Sequence, residues 1–202
     1  MKNITLLVLI SLFFTSCFDE ADSHYKVKKN LKKIADFKTG SFWIYHCDSL
    51  NINDTLSIVD YNIRQIKEPF DSHYNYRDLV TITLTSSYWN CIVKDILEAH
   101  SDYRNTYERS FSEKQVIGTI GFTIDFIGES DLESQYGSVE YLTNYNFNGE
   151  IMEQVIFHKT QGRGHLSGCE YYLAPDYGLI KMKIVTDSIT TKWNLIDFNI
   201  VK

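Results

Sequence analysis

The sequence predicts an all-β fold, an antiparallel sandwich or (half-)barrel of about ten strands, and three observations carry that expectation. From Gly40 almost to the C-terminus, apolar and polar residues alternate with a period of two, the period at which strand side chains change faces. The chain holds 14 tyrosines and 12 phenylalanines against 2 prolines, a composition suited to half-buried pleated surfaces. Turn chemistry built from Asn, Asp, Ser and Gly recurs between the alternating runs at the spacing of a sandwich or barrel.

The chain opens on a different signal. Lys2 supplies a positive start, residues 4–14 form a nearly unbroken apolar run, and Thr15, Ser16 and Cys17 are small residues at a cleavable end, the pattern of a signal peptide. A spanning helix needs roughly 20 apolar residues, and this run meets Asp19 and Glu20 first. The ending Phe14, Thr15, Ser16, Cys17 resembles a bacterial lipobox, with Phe14 where leucine is usual. That resemblance implies a leader over residues 1–16 and a lipidated Cys17. Residues 17–36 then read as a lipidated cysteine and tether, and residues 37–202 as a single antiparallel β domain. The tether assignment rests on charge: Asp19, Glu20 and Asp22 are followed by Lys26, Lys28, Lys29, Lys32 and Lys33. So little apolar surface does not offset ordering entropy, although Val27, Leu31 and Ile34 have the spacing of one short helix.

The formal charge of −6 becomes about −7 once Lys2 leaves with the leader, which argues against nucleic acid as a partner. Without the leader the chain has the size of one ordinary domain, able to bury roughly 70% of its unfolded surface. Lipidation of Cys17 leaves Cys47, Cys91 and Cys169, an odd number, in an oxidising compartment. One disulfide among them is possible by count; their apolar strand neighbours favour buried, inert thiols.

Taken in order, Phe42–Cys47 forms a first strand, a polar turn over residues 48–54 follows, and residues 56–66 form a second strand. That turn lacks the ordered acidic ligands of a calcium loop. Residues 69–76 read as irregular because Pro69 interrupts a strand. Val80, Ile82 and Leu84 alternate with Thr81, Thr83 and Thr85, a strand with one face inward, and residues 88–97 make the next. Residues 100–113 are polar and read as loop with a short edge strand around Tyr107. Ile120, Phe122, Ile124 and Phe126 mark a buried strand face, and residues 128–138 an acidic loop. Asn148 and Gly149 predict a type I′ hairpin turn between residues 139–147 and a returning strand over 151–158. Residues 161–168 read as a glycine-rich loop, followed by strands over 169–173, 179–185 and 192–200. Pro175 to Gly178 and the Asp187–Ser188 pair serve as connections.

No catalytic signature stands out. Gly164, Ser167 and Gly168 give G-x-x-S-G, one position out of register for a nucleophile elbow. His158, His165 and Cys169 lie near one loop but lack a zinc-binding pattern, so no metal or other cofactor is expected. Asp125, Glu129, Asp131 and Glu133 would have to face each other across a sugar, about 5–9 Å apart, to cleave a glycosidic bond. A solvated acidic turn is the simpler account. Trp43, Trp89 and Trp193 fall in apolar runs and read as core, though aromatic faces also stack on carbohydrate.

The lipobox-like start, the aromatic strand Phe42, Trp43, Ile44, Tyr45, and the run Tyr171, Tyr172, Leu173, Ala174, Pro175, Asp176, Tyr177, Gly178, Leu179, Ile180, Lys181 together resemble small uncharacterised lipoproteins of the Bacteroidota. Acidic residues directly after Cys17 look like the surface-export signal of that phylum. Asp48-Ser49-Leu50, Asp54-Thr55-Leu56 and Asp187-Ser188-Ile189 resemble its O-glycosylation sequon, making Ser49, Thr55 and Ser188 candidate acceptors at expected turns. The resemblance implies an outer-membrane lipoprotein, periplasmic or surface-facing, attached to the membrane through its N-terminal lipid. Its expected role is non-catalytic binding or scaffolding with envelope proteins or glycans, in its sharper form as carrier of an apolar or glycan ligand. The alternative is a hydrolase of glycans or cell-wall material using carboxylates of the 128–138 loop.

Overall fold

The structure is a computed structural model describing residues 22–70, 73–112, 121–128, 131–161, 166–186 and 189–202. It is nearly all antiparallel β, as the period-two pattern requires. The wall strands are β2 (Phe42–Cys47), β3 (Ile52–Phe70), β4 (His73–Ser86), β5 (Ile92–Ala99), β6 (Arg104–Ser112), β7 (Gly121–Ile127), β8 (Asp131–Glu133), β9 (Gly137–Leu142), β12 (Val155–Gln161), β13 (Leu166–Ala174), β14 (Gly178–Thr186) and β15 (Thr190–Asn199). They run as an up-and-down meander, ordered β8-β7-β6-β5-β4-β3-β2-β15-β14-β13-β12-β9. Pairing of β15 with β2 joins the two ends of the chain, and the short β8 and β9 approach each other to leave a nearly closed, barrel-like sheet.

Three smaller elements complete the fold: β1 (Ser23–Tyr25), the helix α1 (Lys29–Ala35), and a hairpin of β10 (Tyr145–Phe147) with β11 (Glu150–Met152). Asn148 and Gly149 have φ of 52° and 89°, the positive values that a type I′ turn demands. The number of strands exceeds the expected ten because the 139–147 run breaks into β9 and β10 and because polar segments also form wall strands.

Inward-facing positions alternate along each wall. Trp43, Tyr45 and Cys47 on β2, Val93 and Leu97 on β5, Phe122, Ile124 and Phe126 on β7, and Tyr171 and Leu173 on β13 are buried. Phe122 on β7 lies 4.8 Å from the Tyr171 ring on β13 and 5.5 Å from that of His158 on β12, so strands that are not neighbours in the sheet touch through the interior.

Residues 22–36 are not the tether that their charge suggested. From Ser23 onward they form β1 and α1, and Val27, Leu31, Ile34 and Ala35 are buried. The helix contacts β14 on one side and β5 and β6 on the other, so it covers one end of the barrel. The Asp176 N–H donates to the Lys33 carbonyl, while the Lys28 N–H donates to Asn105 Oδ1 and Lys28 Nζ to the Gly128 carbonyl. Burial of Val27, Leu31 and Ile34 contributes about 1.5–3 kcal/mol each, and these hydrogen bonds tie the segment's backbone to the barrel.

Candidate functional site

Cys17, Glu129, His165 and Ser188 lie outside the described residues. Ser49 is exposed in the β2–β3 turn, its Oγ 3.3 Å from Cys47 Sγ. Thr55 is not at a turn: it sits within β3 opposite Ile44, and the neighbouring Asp54 is buried. Cys47, Cys91 and Cys169 are all buried and none forms a disulfide. Among the described residues no group of three or more His, Cys, Asp or Glu side chains has the geometry to hold a metal ion.

The described acidic candidates lie on the outer wall, where Asp125 and Glu133 are register partners on β7 and β8. Asp125 is buried on the outer side of β7, where its carboxylate accepts from Arg104 Nη2 at 2.7 Å and Thr106 Oγ1 at 2.6 Å. Asp131 and Glu133 are exposed on β8. His158 is fully buried among Phe122 and Tyr171, with Nε2 2.6 Å from Ser134 Oγ, and burial lowers its pKa to about 4. It is a neutral core residue at ordinary pH.

The interior carries a polar set that sequence reading missed. Asp95 on β5 faces Arg109 on β6 in register, and the guanidinium donates twice to the carboxylate, Nε to Oδ1 and Nη2 to Oδ2, both at 2.6 Å. Tyr107 OH adds a third contact at 3.2 Å. Burial opposes the charge on Arg109, but the facing carboxylate overrides it and holds the guanidinium ionised. Burial also pushes the Tyr45 and Tyr107 phenols up, so both remain protonated. Tyr45 OH reaches across to the Leu179 carbonyl at 2.7 Å. Arg109 Nη1, His158 Nδ1 and Tyr171 OH have no hydrogen-bond partner among the described residues. The signal available in the sequence was an Asp and an Arg at inward positions of two successive polar runs.

At the end opposite α1, Tyr88, Trp89 and Trp193 form an aromatic trio with ring centroids 5.4–5.6 Å apart. Asp54 secures the turn that carries two of them, accepting from Ser86 Oγ at 2.8 and 2.9 Å, Ser87 Oγ at 3.2 Å and the Tyr88 N–H at 2.8 Å. Beneath the trio lies a cavity of about 10 Å³ lined by Tyr45, Asp54, Leu56, Trp89, Leu179, Met182 and Trp193. That volume holds about one water. Comparisons with family models, characterised proteins and solved structures returned no match. The chemistry must therefore be read from the geometry alone. Its exposed Tyr88 and half-buried Trp89 offer ring faces for contact at the rim, while the carboxylate below them is already committed to the turn.

Proposed function

We propose that the chain is a lipid-anchored cell-envelope protein, held at the outer membrane through Cys17, with a non-catalytic binding or scaffolding role. The observation that carries this reading is the packing of the described interior: Phe122, Ile124 and Phe126, the face that would line an apolar ligand cavity, are buried, and Phe122 packs on Tyr171 of β13. The cavity beneath Trp89 and Trp193, about 10 Å³, has no room for a lipid or sugar. Contact with a partner or glycan therefore falls to the outer surface and the rim, where Tyr88 and Trp89 present aromatic faces. The lipobox-like stretch that ends in Cys17 supports the anchor, and two or three acyl chains would make it firm where one binds only marginally.

Cell fractionation with intact-mass analysis tests the anchor. The expected result is a mature chain beginning at Cys17, carrying acyl mass and sedimenting with membranes, and a Cys17→Ala variant that leaves that fraction. An unmodified chain in the soluble fraction of both would overturn it. Tryptophan fluorescence tests the rim, since Trp89 sits there: envelope glycans or partner proteins that bind are expected to shift its emission, and a Trp89→Phe variant to lose most of the change.

A further inference from the structure

Strands β3 and β4 run far past the barrel on the α1 side. Pairing of β2 with β3 stops at Phe42 and Ser57, and pairing of β4 with β5 at Leu79 and Glu98, yet β3 and β4 stay paired to Phe70 and His73. A bulge between Ile58 and Asp60 marks the departure. Past it, the face continuing the barrel's interior carries Ile63, Gln65, Lys67 and Pro69 opposite Val80, Asp78, Tyr76 and Tyr74, so that Asp78 is its one carboxylate among these pairs. Ile63 is 56% exposed and Tyr74 42%. Lys67 Nζ lies 3.6 Å from the Tyr74 ring centroid and 5.6 Å from that of Tyr76, and His24 stacks on Tyr76 at 4.8 Å. The adjoining segment exposes Lys26, Lys29, Lys32 and Lys33. Among the acidic groups nearby, Glu68 and Glu98 pair with Arg77, and Asp22 accepts the Tyr74 N–H.

The position of the chain's start names the occupant. Strand β1 takes the edge of β4 that β5 leaves free, parallel to it, with Ser23 beside Asn75 and Tyr25 beside Arg77. The described chain thus begins at Asp22, at the hairpin's outer end. Cys17 precedes Asp22 by five residues, a span of at most about 18 Å.

We infer that the projecting part of the β3–β4 hairpin, with the lysines of α1, is a membrane-docking surface that lays His24, Ile63, Lys67, Tyr74 and Tyr76 against the anionic lipid headgroups. This rests on the proposed lipidation of Cys17. Tyrosine rings favour the interface between headgroups and acyl chains, lysines keep their ammonium groups among the headgroups, and each lysine near an anionic surface adds attraction that short-range anchoring amplifies. The negative net charge of the whole chain does not by itself oppose this, because Lys26, Lys28, Lys29, Lys32, Lys33 and Lys67 concentrate positive charge near this end. The barrel would stand on the bilayer by its helix-covered end, with the Trp89 rim turned away.

The test uses the full-length, processed protein on vesicles of phosphatidylethanolamine and phosphatidylglycerol. Spin labels are introduced by Ile63→Cys and Lys67→Cys on the hairpin and by Ile189→Cys near the opposite end, all exposed positions, against a background of buried native thiols. Circular dichroism checks that each variant keeps its sheet. The expected result is a several-fold higher ratio of oxygen to aqueous nickel-chelate accessibility at positions 63 and 67 than at 189. Equal, aqueous values at all three on a protein with acylated Cys17 would overturn the docking surface and leave the face to a protein partner. Mass spectrometry separates the two ideas. If Cys17 is unmodified, the anchor reading falls, and retained lipid contact at 63 and 67 keeps the docking surface while its loss overturns that as well.

Discussion

The two halves of the β3–β4 hairpin are one continuous ladder, yet only the half inside the barrel is covered. There Ile58 pairs with Leu84, and Leu56 and Ile82 flank them on the inward face, with at most 4% of each exposed, worth about 1.5–3 kcal/mol per side chain. Outside, the hydrogen bonds continue but Ile63 and Tyr74 remain open, and the polar contacts are ring, cation and salt-bridge pairs near solvent, each worth at most about 1 kcal/mol. Ladder pairing alone thus stabilises little. The difference teaches that coverage from a second wall holds the barrel together, while the projecting half is free to serve contact with something else.

Perturbations of the two halves should differ accordingly. The largest effect belongs to the barrel interior: Asp95→Ala strands the Arg109 guanidinium without its carboxylate and is expected to lower stability by about 3–5 kcal/mol in urea unfolding. Next comes acid. Burial keeps His158 neutral with a pKa of about 4, whereas the unfolded chain takes up that proton near 6.5. The unfolded state therefore binds more protons between those values, so the contribution is fully present above about pH 6.5 and is lost as pH falls toward 4, amounting to about 3 kcal/mol. A His158→Gln variant should show a shallower loss over that window.

Gly178→Ala should cost about 1–3 kcal/mol. Its φ of +75° disfavours a side chain, and the new Cβ would meet Phe37 Cε2 at 2.9 Å, loosening the join between α1 and the barrel end. The smallest effect is expected outside: Ile63→Ser or Tyr74→Ser should move the unfolding midpoint by no more than about 0.5 kcal/mol equivalent. A loss there as large as in the barrel would abolish the distinction between the halves.

Much of the wall was legible because its inward residues are apolar. Phe42–Cys47 and the Val80, Ile82, Leu84 series appear in the structure with the expected faces. Strand β6 was legible only as a short edge strand around Tyr107, not as a nine-residue wall strand: its inward positions are Asn105, Tyr107 and Arg109, a pattern that reads largely as loop until Asp95 is placed opposite. Pro69 misled for a related reason. Beyond Ser57 one edge of β3 has no neighbour in β2, so a residue without an N–H costs no ladder bond there. The short helix was visible in the spacing of Val27, Leu31 and Ile34, but that it covers the barrel end depends on partners far away in sequence. At the rim, the apolar run around Trp89 hid a turn, and only the fold places it beside Trp193.

The junction of β2 with β15 has a consequence in time. Its paired residues lie about 150 positions apart, so the first wall strand must wait for the last before the barrel can close. Proteins dominated by such distant contacts fold slowly, in milliseconds to seconds for small domains and longer for larger ones. The sheet of such a chain stays open until β15 arrives to pair with β2, so closure is the last event of folding rather than the first.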